Sequence, residues 1–540
     1  MKRTLMAALA TVAIVLGAAP PAAAAPKFVP INGAGSTWSA NAIDNWRRNV
    51  QQRGIYINYA STGSSDGRAQ FRSGTVHFGV SEIPYGLKDA FGGVDTPPSR
   101  DYAYMPIVAG GTAFMYNLKI GGRRVTNLRL SGDVVARIFT GQIKRWNDPA
   151  IKADNPGLSL PARAIRPVVR QDGSGTSAQF TLWMSKQHSS VWNAYCRKFN
   201  KPAPCGLTSN YPFRASDGFI GQSGSTGVAG YVAQDNAEGS ITYVEYSYAL
   251  NARFPVVKLL NAAGYYTEPT ASNVAVALTK ARINTNKGTA NYLTQILDGV
   301  YTSADKRTYP LSSYSYMLIP TKEGLGIDQD RGYTLSSFAN YFLCEGQQQA
   351  EVLGYSPLPI NLVSAGMDQV KRIPGAPTSR IVIANCNNPT FSRSGANTLV
   401  QNAKQPSECD RKGSRQNPEG TAGARKVPTP VIAAARCAGS GGNNNTTDNG
   451  PTTGPTAPGA NPTASAGAVD PDTGLRAGDG EGAGDGEQVA AVPVALDGEG
   501  GWRMRHTMML IAGVLLLGLV LGPPFLAASL RGRRDRQEGA

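Results

Sequence analysis

Arg170, Asp172, Ser174 and Thr176 alternate along Val168-Val169-Arg170-Gln171-Asp172-Gly173-Ser174-Gly175-Thr176-Ser177-Ala178-Gln179-Phe180. A guanidinium, a carboxylate, two hydroxyls and two glycines fall within seven residues. The segment predicts a buried strand, a glycine turn and a helix start. That arrangement suits a small oxyanion. The first N–H groups of a helix have no acceptor within it, and the helix dipole places partial positive charge there. Arg170 supplies a charge-assisted, forked hydrogen bond, and the glycines let the backbone approach closely. The plain alternative is a strand–turn–helix with a capping serine. A P-loop is excluded, because no Gly-Lys-Ser/Thr follows the turn. A nucleophile elbow is excluded too, since glycines flank Ser174 directly rather than two residues away.

Two other segments have the same character. Gly33-Ala34-Gly35-Ser36-Thr37-Trp38 leads into a helix expected at 39–52. Ser61-Thr62-Gly63-Ser64-Ser65-Asp66-Gly67 follows a strand expected at 55–59. Each alone is weak, because Gly/Ser turns are common; three together are less easily dismissed. The elements around them alternate. Strands are expected at 55–59, 77–81, 106–116, 165–170, 241–246 and 316–320, and helices at 39–52, 133–140, 178–186 and 335–342. The alternation predicts an α/β fold with largely parallel sheets, in which ligands sit beyond the carboxyl ends of the strands.

The ends of the chain have a different composition. Lys2 and Arg3, an apolar run from Leu5 to Leu16 and Ala22–Ala25 read as a signal peptide over 1–25. Residues 438–500 are rich in Gly, Asn, Thr, Pro, Ala and Asp, cannot bury a core, and are expected to form a disordered tether. The apolar run 507–530 is long enough for a transmembrane helix. Arg531, Arg533, Arg534 and Arg536 follow it, which puts the tail 531–540 in the cytoplasm and the bulk of the chain outside. The expected location is the cell membrane, single-pass, with an extracytoplasmic binding domain. The formal charge of +16 is scattered or lies beside the apolar run, so it does not indicate nucleic-acid binding.

The six cysteines, Cys196, Cys205, Cys344, Cys386, Cys409 and Cys437, all fall in the exported part, where disulfides are allowed. The preferred pairing is 196–205, 344–386 and 409–437, though sequence alone permits many others. There is no CxxC, and His77, His188 and His506 are the only histidines, so neither a zinc site nor any cofactor is expected.

Taken together, these segments resemble the phosphate-binding proteins of high-affinity phosphate ABC transporters. Three loops resemble that family's Gly-Ala-Gly-Ala/Ser-Thr-Phe, Gly-Ser-Ser/Gly-x-Gly and Arg-x-Asp-Gly-Ser-Gly-Thr motifs. Gly141-Gln142-Ile143-Lys144-Arg145-Trp146-Asn147-Asp148 and Gly239-Ser240-Ile241-Thr242-Tyr243-Val244-Glu245-Tyr246 resemble two more of its segments, in family order. The resemblance implies a two-lobe periplasmic-binding-protein fold of type II with a hinge. Lobe one would be 27–116 and 315–383, lobe two 117–314, and 384–437 a cysteine-bearing extension. It implies no enzymatic activity, a monomer, inorganic phosphate as ligand and ABC permease subunits as partners. The phosphate-binding positions carried over are Thr37, Trp38 through its N–H, Ser64, Arg170, Ser174, Gly175 and Thr176, with Asp172 orienting Arg170. One position departs. The family has an aspartate after a Gly-x-Ser triplet, where Gly79-Val80-Ser81 is followed here by Glu82. That carboxylate is expected to accept the proton of hydrogen phosphate and to repel sulfate. Asp66 also adds a carboxylate where the family commonly has a small residue. Three rival readings remain: a binder of another oxyanion or phosphorylated molecule, motivated by Glu82; a surface interaction protein; and a phosphatase using Ser174 with His77 or His188. Trp46, Trp146 and Trp183 are expected in the core.

Overall fold

The computed structural model describes residues 26–289, 291–377, 383–392, 396–413 and 415–437. The expected signal peptide (1–25), tether (438–500), transmembrane helix (507–530) and tail (531–540) lie outside them. Among the described residues no helix is long and apolar enough to cross a membrane.

The first strand, β1 (Ile31–Gly35), is followed by helix α1 (Ala40–Gln51). Then come β2 (Ile57–Ala60), α2 (Ser64–Ser73) and β3 (Phe78–Ser81). The long strand β4 (Tyr102–Tyr116) leads to α3 (Gly132–Phe139). Next are β5 (Arg166–Arg170), α4 (Gly175–Gln187), β6 (Ile220–Gln222), α5 (Gly224–Val232), β7 (Ser240–Glu245) and α6 (Tyr246–Ala252). Strand β8 (Ser312–Pro320) and helix α7 (Gln329–Leu343) return the chain to its first half.

The strands form one sheet in the order β6-β5-β7-β4-β8-β3-β1-β2. β1 runs parallel to β2 and β3, and β5 parallel to β6 and β7. At the centre, β4 is antiparallel to both β7 and β8, and β8 is antiparallel to β3. This corrects the expectation of largely parallel sheets. The two parallel βαβ wings are joined through antiparallel strands, and β4 and β8 are buried along nearly their whole length, so no in–out alternation betrays their direction. β4 pairs with β8 up to Gly111 and with β7 from Thr112 to Tyr116. On β4, strand pairing thus passes from one wing to the other between Gly111 and Thr112.

Separate cores support the wings. Trp46, Phe71, Phe78, Phe338 and Phe342 centre one, on the side of β1–β3 and α7. Trp146, Phe180, Trp183 and Trp192 centre another, around β5, β7 and α4. All three tryptophans expected in the core are buried. Each such aromatic removes a large apolar area from water, about 25 cal/mol per Å².

The three preferred cysteine pairs are closed, with Cα–Cα separations of 6.4, 4.8 and 5.7 Å. Cys344–Cys386 ties the start of the extension to α7. Just beyond it, Asn388 still donates to the carbonyl of Leu358 in the first wing, at 3.1 Å; from Cys409 on, contacts are made with the second wing. Asp410 pairs with Lys258 at 3.0 Å, Thr429 Oγ1 accepts from Thr126 N–H at 2.8 Å, and Arg129 donates to the carbonyl of Cys409 at 3.0 Å.

Candidate functional site

The turn after β5 forms as its residues dictate. Ser174 caps α4, its Oγ accepting from Ser177 N–H at 3.1 Å. The helix therefore starts at Gly175 rather than at the expected Ala178. The N–H groups of Gly175 and Thr176, in its first turn, have no acceptor within the helix. Thr176 Oγ1 is buried with no hydrogen-bond partner among the described residues.

Arg170 ends β5 and is 2% exposed. Its Nε donates to Asp172 Oδ1 at 2.7 Å, its Nη2 donates to Oδ2, and its Nη1 donates to Ser225 Oγ at 3.3 Å. Gly224 N–H also donates to Asp172 Oδ1, at 3.0 Å. Burial pushes the Asp172 carboxyl up, but the hydrogen bonds and charge of Arg170 outweigh it and hold the group below the usual carboxylate range. Asp172 thus fixes the guanidinium fork.

The opening loop arrives from β1. Thr37 Oγ1 lies 2.8 Å from Ser225 Oγ and accepts from Ser225 N–H at 3.2 Å. Ser225, at the start of α5, therefore links Thr37 to Arg170 across the two wings. Ser36 Oγ donates to Glu82 Oε1 and accepts from Trp38 N–H at 3.0 Å. The Trp38 N–H expected to face an anion is taken here by Ser36.

The second loop brings Ser64, the first residue of α2. Its Oγ donates to Glu82 Oε2 at 2.6 Å, and Ser315 Oγ donates to Glu82 Oε1 at 2.8 Å. Glu82 is 1% exposed, which rules out a solvated surface acid. Three hydroxyls, from Ser36, Ser64 and Ser315, converge on the carboxylate of this longer side chain. Asp66, by contrast, is exposed and accepts from Gln70 within its own helix, so its carboxylate does not join this cluster.

The corners meet closely. A Cβ on Gly175 would overlap Glu82 Oε2 and Ser64 Oγ, so only glycine lets the start of α4 lie against that pair. Ser65 N–H donates to the carbonyl of Gly173 at 3.1 Å. Nearer the rim, Asp89 Oδ2 accepts from Ser209 N–H at 2.6 Å and Ser209 Oγ at 2.7 Å. Thr37, Ser64, Glu82, Arg170, Ser174, Gly175 and Thr176 thus fall into one buried polar cluster, with Asp172 behind Arg170 and Trp38 held through Ser36. Ser36, Ser225 and Ser315 join it without having been singled out. Ser223-Gly224-Ser225-Thr226 repeats the strand–glycine–helix pattern of the three loops and was a usable signal for Ser225.

The phosphatase reading needs His77 or His188 beside Ser174. His77 Nδ1 accepts from Asn32 N–H at 2.8 Å, and the His188 ring packs on Trp183, 4.6 Å between centroids. Neither histidine is a hydrogen-bond partner of Ser174, whose Oγ accepts from Ser177 N–H.

Residues 18–345 match the family model for the PBP superfamily domain. The phosphate-binding protein PstS of Xylella fastidiosa is 35% identical over 348 residues, covering 64% of this chain and 85% of its own. That of Haemophilus influenzae is 30% identical over 342 residues, covering 63% and 92%. Among solved structures, the ancestral soluble variant of the human phosphate-binding protein aligns at 18% identity over 70% of this chain and 99% of its own, with a TM-score of 0.48. The domain match and the extent of the curated similarity place this chain in the PstS phosphate-binding protein family, within the PBP superfamily.

Proposed function

We propose that the chain captures inorganic phosphate outside the cytoplasm and hands it to an ABC importer. The observation that carries this is the convergence of three helix-opening corners on Glu82 and the Arg170 fork, with Thr176 Oγ1 buried and unpartnered beside them. Neutral N–H and O–H donors replace the water shell of an anion, and Arg170 supplies the formal positive charge. Glu82 supplies the discrimination. Hydrogen phosphate offers it a proton, whereas sulfate at neutral pH would oppose one buried negative group to another with no hydrogen between them.

In this reading the two wings are lobes, and β4 and β8 are the strands about which they open and close. The Asp89–Ser209 and Ser65–Gly173 links belong to the closed form. The apolar run near the C-terminus anchors the protein beside its permease, with residues 438–500 as tether, which raises the local concentration of loaded protein. No covalent chemistry is required of the chain.

Titration calorimetry of the full-length chain with phosphate, sulfate and molybdate tests the reading. Phosphate is expected to bind most tightly, and Glu82→Gln, whose amide can donate to sulfate, is expected to erode the preference. Equal binding of phosphate and sulfate by the wild type would eliminate Glu82 as the proton-reading group.

A further inference from the structure

Glutamate at position 82 poses a geometric question. A longer side chain has more rotamers and aims its carboxylate less sharply than aspartate. Discrimination by a single acceptor lone pair requires a fixed direction.

A carboxylate offers about four acceptor sites, two on each oxygen. Glu82 Oε1 accepts from Ser36 Oγ and from Ser315 Oγ at 2.8 Å; Oε2 accepts from Ser64 Oγ at 2.6 Å. Both sites of Oε1 are filled, and one remains on Oε2. That oxygen is the one that a Cβ on Gly175 would overlap, so it faces the opening of α4.

The placement of Ser315 is specific. It lies on β8, one of the two strands joining the wings, and is fully buried. In the pairing of β8 with β3, Tyr316 stands opposite Ser81, the residue before Glu82. In the pairing of β8 with β4 the register slips at this point: Ser315 faces Val108 and Tyr316 faces Pro106, leaving Ile107 unmatched. A bulge of this kind re-aims a side chain next to a site, and Pro106 has no N–H to give to the ladder.

We infer that Ser315 is a specificity-determining positioning residue for Glu82: with Ser36 it fills Oε1, so that the last acceptor site on Oε2 is aimed at the proton of a bound hydrogen phosphate. The inference rests on the phosphate reading above. Its expected consequence is a loss of selectivity without a general loss of anion binding.

The experiment is a double-mutant cycle on the full-length chain, comparing wild type, Ser315→Ala, Glu82→Asp and the double variant by calorimetry with inorganic phosphate and with sulfate. Ser315→Ala is expected to weaken phosphate about tenfold, the effect of one hydrogen bond to a charged group, while sulfate changes by less than about twofold. In the Glu82→Asp background, where the shortened carboxylate no longer reaches Ser315, adding Ser315→Ala is expected to change phosphate affinity by less than about twofold, the non-additivity of residues that act as a pair. Three results would overturn the inference: no loss on Ser315→Ala, equal loss for both anions, or the same loss in both backgrounds. Should Ser315→Ala fail to fold, Ser315→Cys, whose thiol has nearly the same shape but is a weak donor, carries the test. It is expected to lose part of the phosphate preference, and a wild-type preference in that variant rejects the role of Ser315. Failure of the wild type to bind phosphate at all would instead reject the functional reading beneath it.

Discussion

Replacing Arg170 by alanine isolates the charged donor of the site. A guanidinium has five N–H groups. Three are spent inside the protein: Nε and one on Nη2 go to Asp172, and one on Nη1 goes to Ser225. One N–H on each Nη is left for an anion. Truncating one partner of a buried, hydrogen-bonded charge pair costs roughly 2–5 kcal/mol, a weakening of about thirtyfold to several thousandfold at ~1.4 kcal/mol per decade. Arg170→Lys separates charge from geometry. An ammonium keeps the charge but cannot hold Asp172 with two N–H groups and also reach the anion with two, so a loss of about tenfold to a hundredfold is expected. Titration calorimetry with phosphate gives the affinities, and thermal melts show that the variants remain folded. Phosphate affinity in Arg170→Ala within about threefold of wild type would refute the assignment of Arg170. Equal affinity of the lysine variant and the wild type would refute the fork argument.

Three further outcomes follow from the same geometry. Gly175→Ala places a methyl against Glu82 Oε2 and Ser64 Oγ; it is expected to abolish measurable phosphate binding while leaving a cooperative melt, and retained binding would show that α4 does not close on that pair. Asp89→Asn removes the charged acceptor of two Ser209 hydrogen bonds across the wings, so stopped-flow measurement should find phosphate released about tenfold faster, the weight of charge-assisted bonds in the closed form; an unchanged rate would remove this link from the closure. Burial pushes the Glu245 carboxyl well above its ordinary value, against the hydrogen bonds from Ser247 that pull it down. Its contribution to stability is then full below the unfolded value of about 4.3 and is lost as pH rises from there through the folded value. Glu245→Gln should therefore flatten the decline in melting temperature over that window, and profiles that stay parallel to wild type would contradict the assignment.

The two-wing α/β layout and the three helix-opening corners were legible because each is local: a strand, a glycine and hydroxyls at a helix start follow one another in sequence. The capping role of Ser174 and the Arg170–Asp172 pair, two residues apart, could be read in the same way. Strand direction at the centre could not, since β4 and β8 are buried on both faces and carry no alternation. Ser36, Ser225 and Ser315 were not recognised for a related reason. Each is one serine among many, made significant by a partner 46, 55 or 233 residues away. The sequence did single out Glu82 as a departure from the family, but the hydroxyls that accommodate it come from three separate elements. Asp66 is the opposite case, a carboxylate next to a site motif that the helix turns outward to Gln70.

The most direct test of the account is a crystal structure of the protein grown with phosphate. It should show one tetrahedral anion contacted together by the Arg170 guanidinium, the Ser64 and Thr176 hydroxyls, the N–H groups at the start of α4 and Glu82 Oε2. Phosphate bound elsewhere, or in that cluster without Arg170 and Glu82 among its contacts, would contradict it.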